Sequence, residues 1–413
     1  MKSLRVSLCT VGLALGTCLS SAASAAHPGW PDPVLPNPPL PAPIHLIDHT
    51  VFDAAVQDAI ELAEEQAELI AHPDEIFHDP PPAVRYDLGD VRRGKADRYA
   101  PAGLSGAYVN NQGEWIAEYK YLVSFKEDNR AGSSTIDDLA TIPYTHDGIT
   151  TNFGASPTQM TEELHVIRLT YGVSDDLTLY SVMSFPVLTM DHIRGPGNPT
   201  GGRPGSAFTT HTSGIGDTLF GALGNLIDSD NDDLIIDVGF SVPTGDIFDT
   251  ASNSTAGLLD LPLEYPMRKG SGTFNARPGI TYRHYEECSS FGVQYQGDHP
   301  IGENYRDYSV SDVYRINAWY SHLIGDNIAL SLRVENMWRS NYDGADPDTP
   351  DALISTNVET FRGGYFLNVG AGVAVLHRGH LLNVELIPTV YQNLEGIQLE
   401  TDWSLVASWT SSF

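Results

Sequence analysis

The sequence predicts an all-β fold: an antiparallel, up-and-down transmembrane β-barrel of about twelve strands, preceded by a Pro-rich segment and one amphipathic helix. Three observations predict it. From about residue 99 to Phe413, many segments alternate apolar and polar residues with the period of two that a half-buried strand requires. Short turns alternate with long loops, which is the asymmetry of a barrel crossing a membrane. No later stretch offers the roughly 20 consecutive apolar residues of a membrane helix, whereas a barrel strand needs only about 10 alternating ones.

Residues 1–26 read as a secretory signal. Lys2 and Arg5 precede an apolar run from Val6 to Leu19, and the small residues SSAASAA end at Ala26. Cleavage there removes Cys9 and Cys18 and leaves Cys288 alone, with no internal disulfide to form. Residues 27–47 are Pro-rich and are expected to be extended and solvated. A helix is expected over about 50–71. Thr50 caps it with Asp53, Phe52, Val56, Ala59, Ala63 and Ile70 recur at helical spacing, and Pro73 stops it. Residues 27–98 form an extension expected in the periplasm or as a plug, and 99–413 form the barrel.

Strands are predicted near 113–126, 161–172, 176–190, 214–224, 233–243, 272–283, 288–298, 310–322, 326–338, 363–376, 381–391 and 401–413. In the first, Trp115, Ala117, Tyr119, Tyr121, Val123 and Phe125 share a face, with Glu118, Lys120 and Ser124 on the other. In the ninth, Ile328, Leu330, Leu332 and Val334 oppose Ser331, Arg333 and Glu335. GVSDD, HYEE, LIGDN and HRGH are short turns between them. An even number of crossings returns both ends of the barrel to one side. WSLVASWTSSF is the closing strand, and Phe413 with Trp409 four residues earlier forms the pattern expected of a signal to the barrel assembly machinery.

Closing a sheet pairs every backbone group, which hydrocarbon demands, and leaves an apolar outside around a wet inside. Polar residues within strand-like runs are therefore candidates for the pore lining: Lys120, Arg168, Arg315, Asn317, Arg333, Glu335 and Glu385. Trp115, Tyr121, Trp319, Trp403 and Trp409 are candidates for the interfacial aromatic girdles. A formal charge of −30, from 23 Lys and Arg against 53 Asp and Glu, argues against nucleic acid as a partner.

Catalytic signatures are absent: there is no GxSxG, HExxH or CxxC, so no enzyme, cofactor or metal site is expected. DSDNDD at 228–233 places Asp233 where a calcium loop needs glycine, and reads as an acidic turn. YDGADPDTPD at 342–351 reads as a solvated acidic loop near lipopolysaccharide.

The stretches RYAPAGLSGAYVNNQGEW, SGIGDT, GFSVPTGDI, YPMRKGSGTFNARPGITY, YRINAW, DGADP and VYQNLEGIQLETDW occur in this order over about residues 99–413. As an ordered set they resemble the bacterial family named for a MetA pathway of phenol degradation. The resemblance implies an exported outer-membrane barrel of a Gram-negative-type bacterium and uptake of small, hydrophobic or aromatic molecules. It supplies no catalytic residues. Two other classes stay open: a structural or surface-interaction barrel with a closed lumen, and a lipid-acting barrel enzyme.

Overall fold

The computed structural model describes residues 99–413, apart from 139–143, 147–148, 152, 196–202, 230, 254–257 and 326. The expected signal, Pro-rich segment and 50–71 helix lie outside the described residues. Eleven strands close into one antiparallel sheet. They are β1 (Trp115–Gly132), β2 (Ala155–Ser174), β3 (Leu177–Arg194), β4 (Thr218–Asp228), β5 (Asp232–Val242), β6 (Phe274–Tyr285), β7 (Ser289–Ile301), β8 (Val313–Leu323), β9 (Ile328–Arg339), β10 (Gly364–His377) and β11 (His380–Ser412). Each pairs with its neighbours in chain order, and β11 pairs with β1 to shut the barrel.

β11 is 33 residues long, and a straight strand of that length would run for about 110 Å. It folds back instead. Its first limb pairs with β10 from His380 to Leu394, and its second runs the opposite way along β1 to Ser412. Gly396, at φ +69°, sits in the bend, where a side chain would be strained. The described chain thus crosses the barrel twelve times, in agreement with the alternation of the sequence. Turns of two to four residues join the strands at one end, hereafter the turn end, and the long connections gather at the other.

One strand was misplaced. The predicted 214–224 segment is observed as β4 at 218–228, because Ala207–Ser213 forms a strand of its own on the upper part of β3. β3 then changes partner, pairing with β4 only through Leu177–Val182. Gly214 and Gly216 lie at the changeover, where a period-two count carries no information.

The outer surface is a band of exposed aliphatic side chains, among them Ile167, Leu179, Val238, Ile280, Leu332 and Leu386. Aromatic rings edge it on both sides. Trp115, Tyr171, Tyr282, Phe291 and Tyr320 stand near the turn end, and Trp115 packs on Tyr171 with ring centroids 4.7 Å apart. Phe125, Trp403, Trp338, Tyr365 and Tyr391 stand near the loop end, where Phe125 stacks on Trp403 at 6.0 Å. This is the layering that lipid imposes on a closed barrel. Trp319 does not belong to it. Tyr314, Ile316, Tyr320 and His322 are the exposed residues of β8, so Trp319 has the opposite parity. It is 5% exposed and packs inside against Ala100, Leu104 and Ala107.

The seam between β11 and β1 runs to Phe413. Its N–H donates to the Trp115 carbonyl (2.9 Å), and its carbonyl accepts from the Trp115 N–H (3.2 Å). Deleting Phe413 removes both bonds and an exposed interfacial ring. We expect the amount of heat-modifiable, membrane-inserted protein to fall several-fold; an unchanged amount would show this residue to be dispensable for assembly.

Candidate functional site: a lumen cavity between an inner segment and a lid

The site begins with an irregular stretch. Residues 99–112 carry no strand, and Tyr99, Ala102, Leu104, Ala107 and Asn110 are nonetheless buried. They lie against lumen-facing residues of the barrel, which supply the hydrogen bonds that this backbone would otherwise lack. The Gly103 N–H donates to Glu385 Oε2 (2.7 Å), Lys120 Nζ donates to the Leu104 carbonyl (3.0 Å), and Gln294 Nε2 donates to the Ser105 carbonyl (2.9 Å). Asn383 Nδ2 holds the Ala100 carbonyl (2.8 Å), and the Asn110 N–H donates to Thr178 Oγ1 (2.7 Å).

Three of these partners, Lys120, Gln294 and Glu385, belong to one layer of the barrel. Lys120, Asp237, Gln294, Arg333 and Glu385 are each the sixth residue of β1, β5, β7, β9 and β11, all strands that run from the turn end. Equal height places their side chains in one ring around residues 103–106. A Cβ at Gly103 would meet the ends of the Arg333 and Glu385 side chains, which would then have to shift. Arg333 Nε donates to Glu385 Oε1 (2.7 Å) and its Nη1 to Asn317 Oδ1 (2.8 Å) and Glu335 Oε2 (3.1 Å). Glu385, which is wholly buried, therefore accepts from both the wall and the inner segment.

At the loop end the long connections interlock. Arg268 is the knot: its Nη2 lies 2.8 Å from Asp346 Oδ2 and 2.7 Å from Thr349 Oγ1, and its Nη1 donates to the Tyr308 hydroxyl (2.9 Å). Tyr265 and Tyr308 lie under its guanidinium, at 4.6 and 5.2 Å. Burial opposes the Arg268 charge, but Tyr308 and Asp346 outweigh it and hold its pKa above the ordinary value. Burial pushes the Tyr308 phenol up to about 12. A second cluster, Phe153, Val358, Phe361 and Ile397, ties the 353–363 segment to the bend of β11. Asp346 belongs to the stretch expected to be a solvated acidic loop. Asp343, Asp348 and Asp351 are exposed as expected, but Asp346 is 2% exposed, and Arg268 and Arg306 compensate its charge.

Between inner segment and lid lies a cavity of about 820 Å³. Gly103 and Ser105 line its floor, and Pro266, Tyr342, Thr356 and Arg362 reach it from the loops. Its wall is mixed. Leu122, Leu164, Val166, Val182, Leu219 and Val406 give apolar surface on β1 to β4 and the second limb of β11, with Glu118, Lys120, Lys126, Glu162 and Arg168 of β1 and β2 among them. Arg277, Arg315, Arg333 and Arg339 project from β6, β8 and β9. Nine of the chain's 23 basic residues line this one space, against six of its 53 acidic ones. The lumen thus inverts the charge balance of the chain around it.

Of the residues singled out from sequence, Lys120, Arg168, Arg315, Asn317, Arg333 and Glu335 stand on the cavity wall. Glu385 stands behind it, bonded to Arg333 and Gly103. Arg168 lies over the Tyr180 ring at 4.7 Å, and the Tyr180 hydroxyl donates to Asp237 Oδ1 (2.6 Å). Trp409 and Phe413 are on the outside. Sequence reasoning missed Lys126, Arg277, Arg339 and Arg362. For Arg339 a signal existed, since it shares the parity of Arg333 and Glu335 on β9.

Known proteins offer only a distant likeness. No family model matches the chain, and no curated protein does. Among solved structures, an outer-membrane channel from Pseudomonas putida F1 superposes with a TM-score of 0.49 at 15% identity, covering 74% of this chain and 97% of that one. A Pseudomonas aeruginosa FadL homologue gives 0.33 at 12% identity, covering 73% and 90%. The toluene transporter TodX of P. putida gives 0.32 at 10% identity, covering 75% and 94%. Likenesses at this level carry no argument about what this chain does.

Proposed function

We propose that the chain is an outer-membrane channel for small molecules, hydrophobic and aromatic ones among them. The observation that carries this reading is the lumen cavity, bounded at both ends by irregular chain. The barrel wall is held by a continuous ladder of backbone bonds, whereas the inner segment and the lid are held by a few side chains, so solute passage asks only those two to move. An apolar side of the cavity suits a hydrocarbon or aromatic body, and the resemblance of the sequence to a phenol-degradation family points the same way. In this reading the signal of residues 1–26 exports the chain. The assembly machinery inserts it through the Trp409 and Phe413 signal, and lipopolysaccharide surrounds the loop end.

Lys120, Arg168, Arg315, Asn317, Arg333 and Glu335 line the path in this proposal, and Glu385 positions its inner segment. No catalysis is assigned to any of them. The test is solute flux into liposomes carrying the purified full-length protein. Uptake of small aromatic solutes above that of protein-free liposomes is expected. A folded, inserted protein that passes nothing would sink the channel reading and favour the second one, a structural barrel closed by its own inner segment and lid.

A further inference from the structure

We propose that the loop end of the cavity binds the carboxylate of a small organic acid, with the acid's apolar or aromatic body on the facing wall. This rests on the channel reading and names its substrate class. The argument starts from charge that is left over. Most basic groups of the cavity have an acid beside them: Lys126 is 2.6 Å from Glu162, Arg333 is 2.7 Å from Glu385, Lys269 is 2.8 Å from Asp249 and Arg277 is 3.5 Å from Asp298. Arg168, which lies over Tyr180, and Arg315, Arg339 and Arg362 have none within 4.0 Å among the described residues.

Arg362 is buried, and Arg315 and Arg339 are only partly exposed. Arg362 is 8% exposed, with one Nη1 bond to the Thr356 carbonyl (3.1 Å). Arg339 gives Nη2 to Gln398 Oε1 (2.7 Å), and its buried Nε has no partner. Arg315 is cross-strand from Met337, two residues deeper along β9 than Arg339. Withdrawing an unpaired guanidinium from water costs several kcal/mol, and the carboxylates that act on these three are already engaged: Glu162, near Arg339 and Arg362, pairs with Lys126, and Glu335, near Arg315, pairs with Arg333. Burial in fact holds Arg362 below its ordinary pKa. A ligand anion supplies what the chain omits.

The donors also fix the shape of that anion. Guanidinium groups present planar forks that match a carboxylate better than a lone spherical ion. Apolar groups line the cavity beside them, together with Lys126, Glu162, Thr356 and Gln398. Phe366 lies 5.3 Å from the Arg339 guanidinium, Tyr342 flanks it, and Met160 and Leu399 line the same space. A carboxylate attached to a ring or short chain meets both surfaces at once, whereas chloride or phosphate meets only one.

The experiment uses purified full-length protein in detergent and measures binding of benzoate, of its neutral counterpart benzyl alcohol, and of acetate. Benzoate is expected to bind at least about tenfold more tightly than either. The double variant Arg339→Gln, Arg362→Gln is expected to lose at least about tenfold in benzoate affinity, with benzyl alcohol binding unchanged. Heat-modifiability on gels shows that the variant is folded. Arg362→Lys keeps the charge but not the fork, and should fall between. Equal affinity for benzoate and benzyl alcohol would overturn the proposal. So would a folded double variant, or the lysine variant where the double one fails to fold, that binds benzoate as the native protein does. Benzoate bound without flux into liposomes would leave the anion site standing and remove the channel. Flux of both solutes without any binding preference would do the reverse.

Discussion

Replacing Glu385 by alanine is expected to release residues 103–106 from the barrel wall and to raise solute flux through the lumen. Glu385 is wholly buried and accepts from the Gly103 N–H and from Arg333 at once. Its loss leaves a guanidinium 97% shielded from water with Glu335, at 3.1 Å, as its remaining carboxylate. Breaking a buried pair typically costs about 3–5 kcal/mol, and the surviving Glu335 contact puts this case near the lower end. Even about 3 kcal/mol, acting on the inner segment alone, enlarges the displaced population roughly a hundredfold. Glu385→Gln keeps an oxygen for Gly103 and should give a much smaller change. Flux and thermal stability measured together decide the matter: alanine should raise the first and lower the second. Unchanged flux with lowered stability would mean that the inner segment is held by its other bonds.

Arg268→Ala is expected to unlock the lid. The side chain is 2% exposed and joins Asp346, Thr349, Tyr308 and the Leu263 carbonyl, four groups from three separate connections. Without it, Asp346 keeps the Asp348 N–H at 2.9 Å and, as its one charged partner among the described residues, Arg306 at 3.5 Å. The cost is again about 3–5 kcal/mol, but it falls on loops rather than on the ladder of the barrel. The barrel should therefore remain heat-modifiable while the 340–363 segment becomes cleavable by protease added outside. Arg268→Lys keeps the charge and loses the fork, so protection should be partly retained. A lid as resistant as that of the native protein would show the aromatic packing of Tyr265, Tyr308 and Tyr342 to be sufficient.

What was legible in the sequence follows from where side chains have only two choices. On a strand each residue faces in or out, so a charged residue in an apolar run declares the inside; Arg333 and Glu335 were readable for that reason. Glycine turns and Asp-rich turns marked the turn end equally well. At Trp319 the girdle expectation followed residue type against parity, which groups it with Arg315 and Asn317, because a tryptophan is acceptable on either face. Its neighbour settled it: Gly292 lies directly across on β7, and the Trp319 ring fills the space that glycine leaves. Such pairing is invisible until register is known. Residues 99–112 and Arg362 have no period at all. Their positions are set by groups that are distant in sequence, Glu385 being 282 residues from Gly103.

The two aromatic edges also measure something. Trp115 and Phe125 are ten residues apart on β1, about 33 Å along the strand and about 25 Å along the axis at the usual tilt of roughly 40°. An average bilayer has a hydrocarbon core of about 30 Å. The barrel is thus cut for a thin membrane, and a thicker one must compress around it or leave apolar lipid against polar loops, at a fraction of a kcal/mol for each ångström of mismatch. The girdles act as a gauge, favouring a thinner membrane over a thicker one.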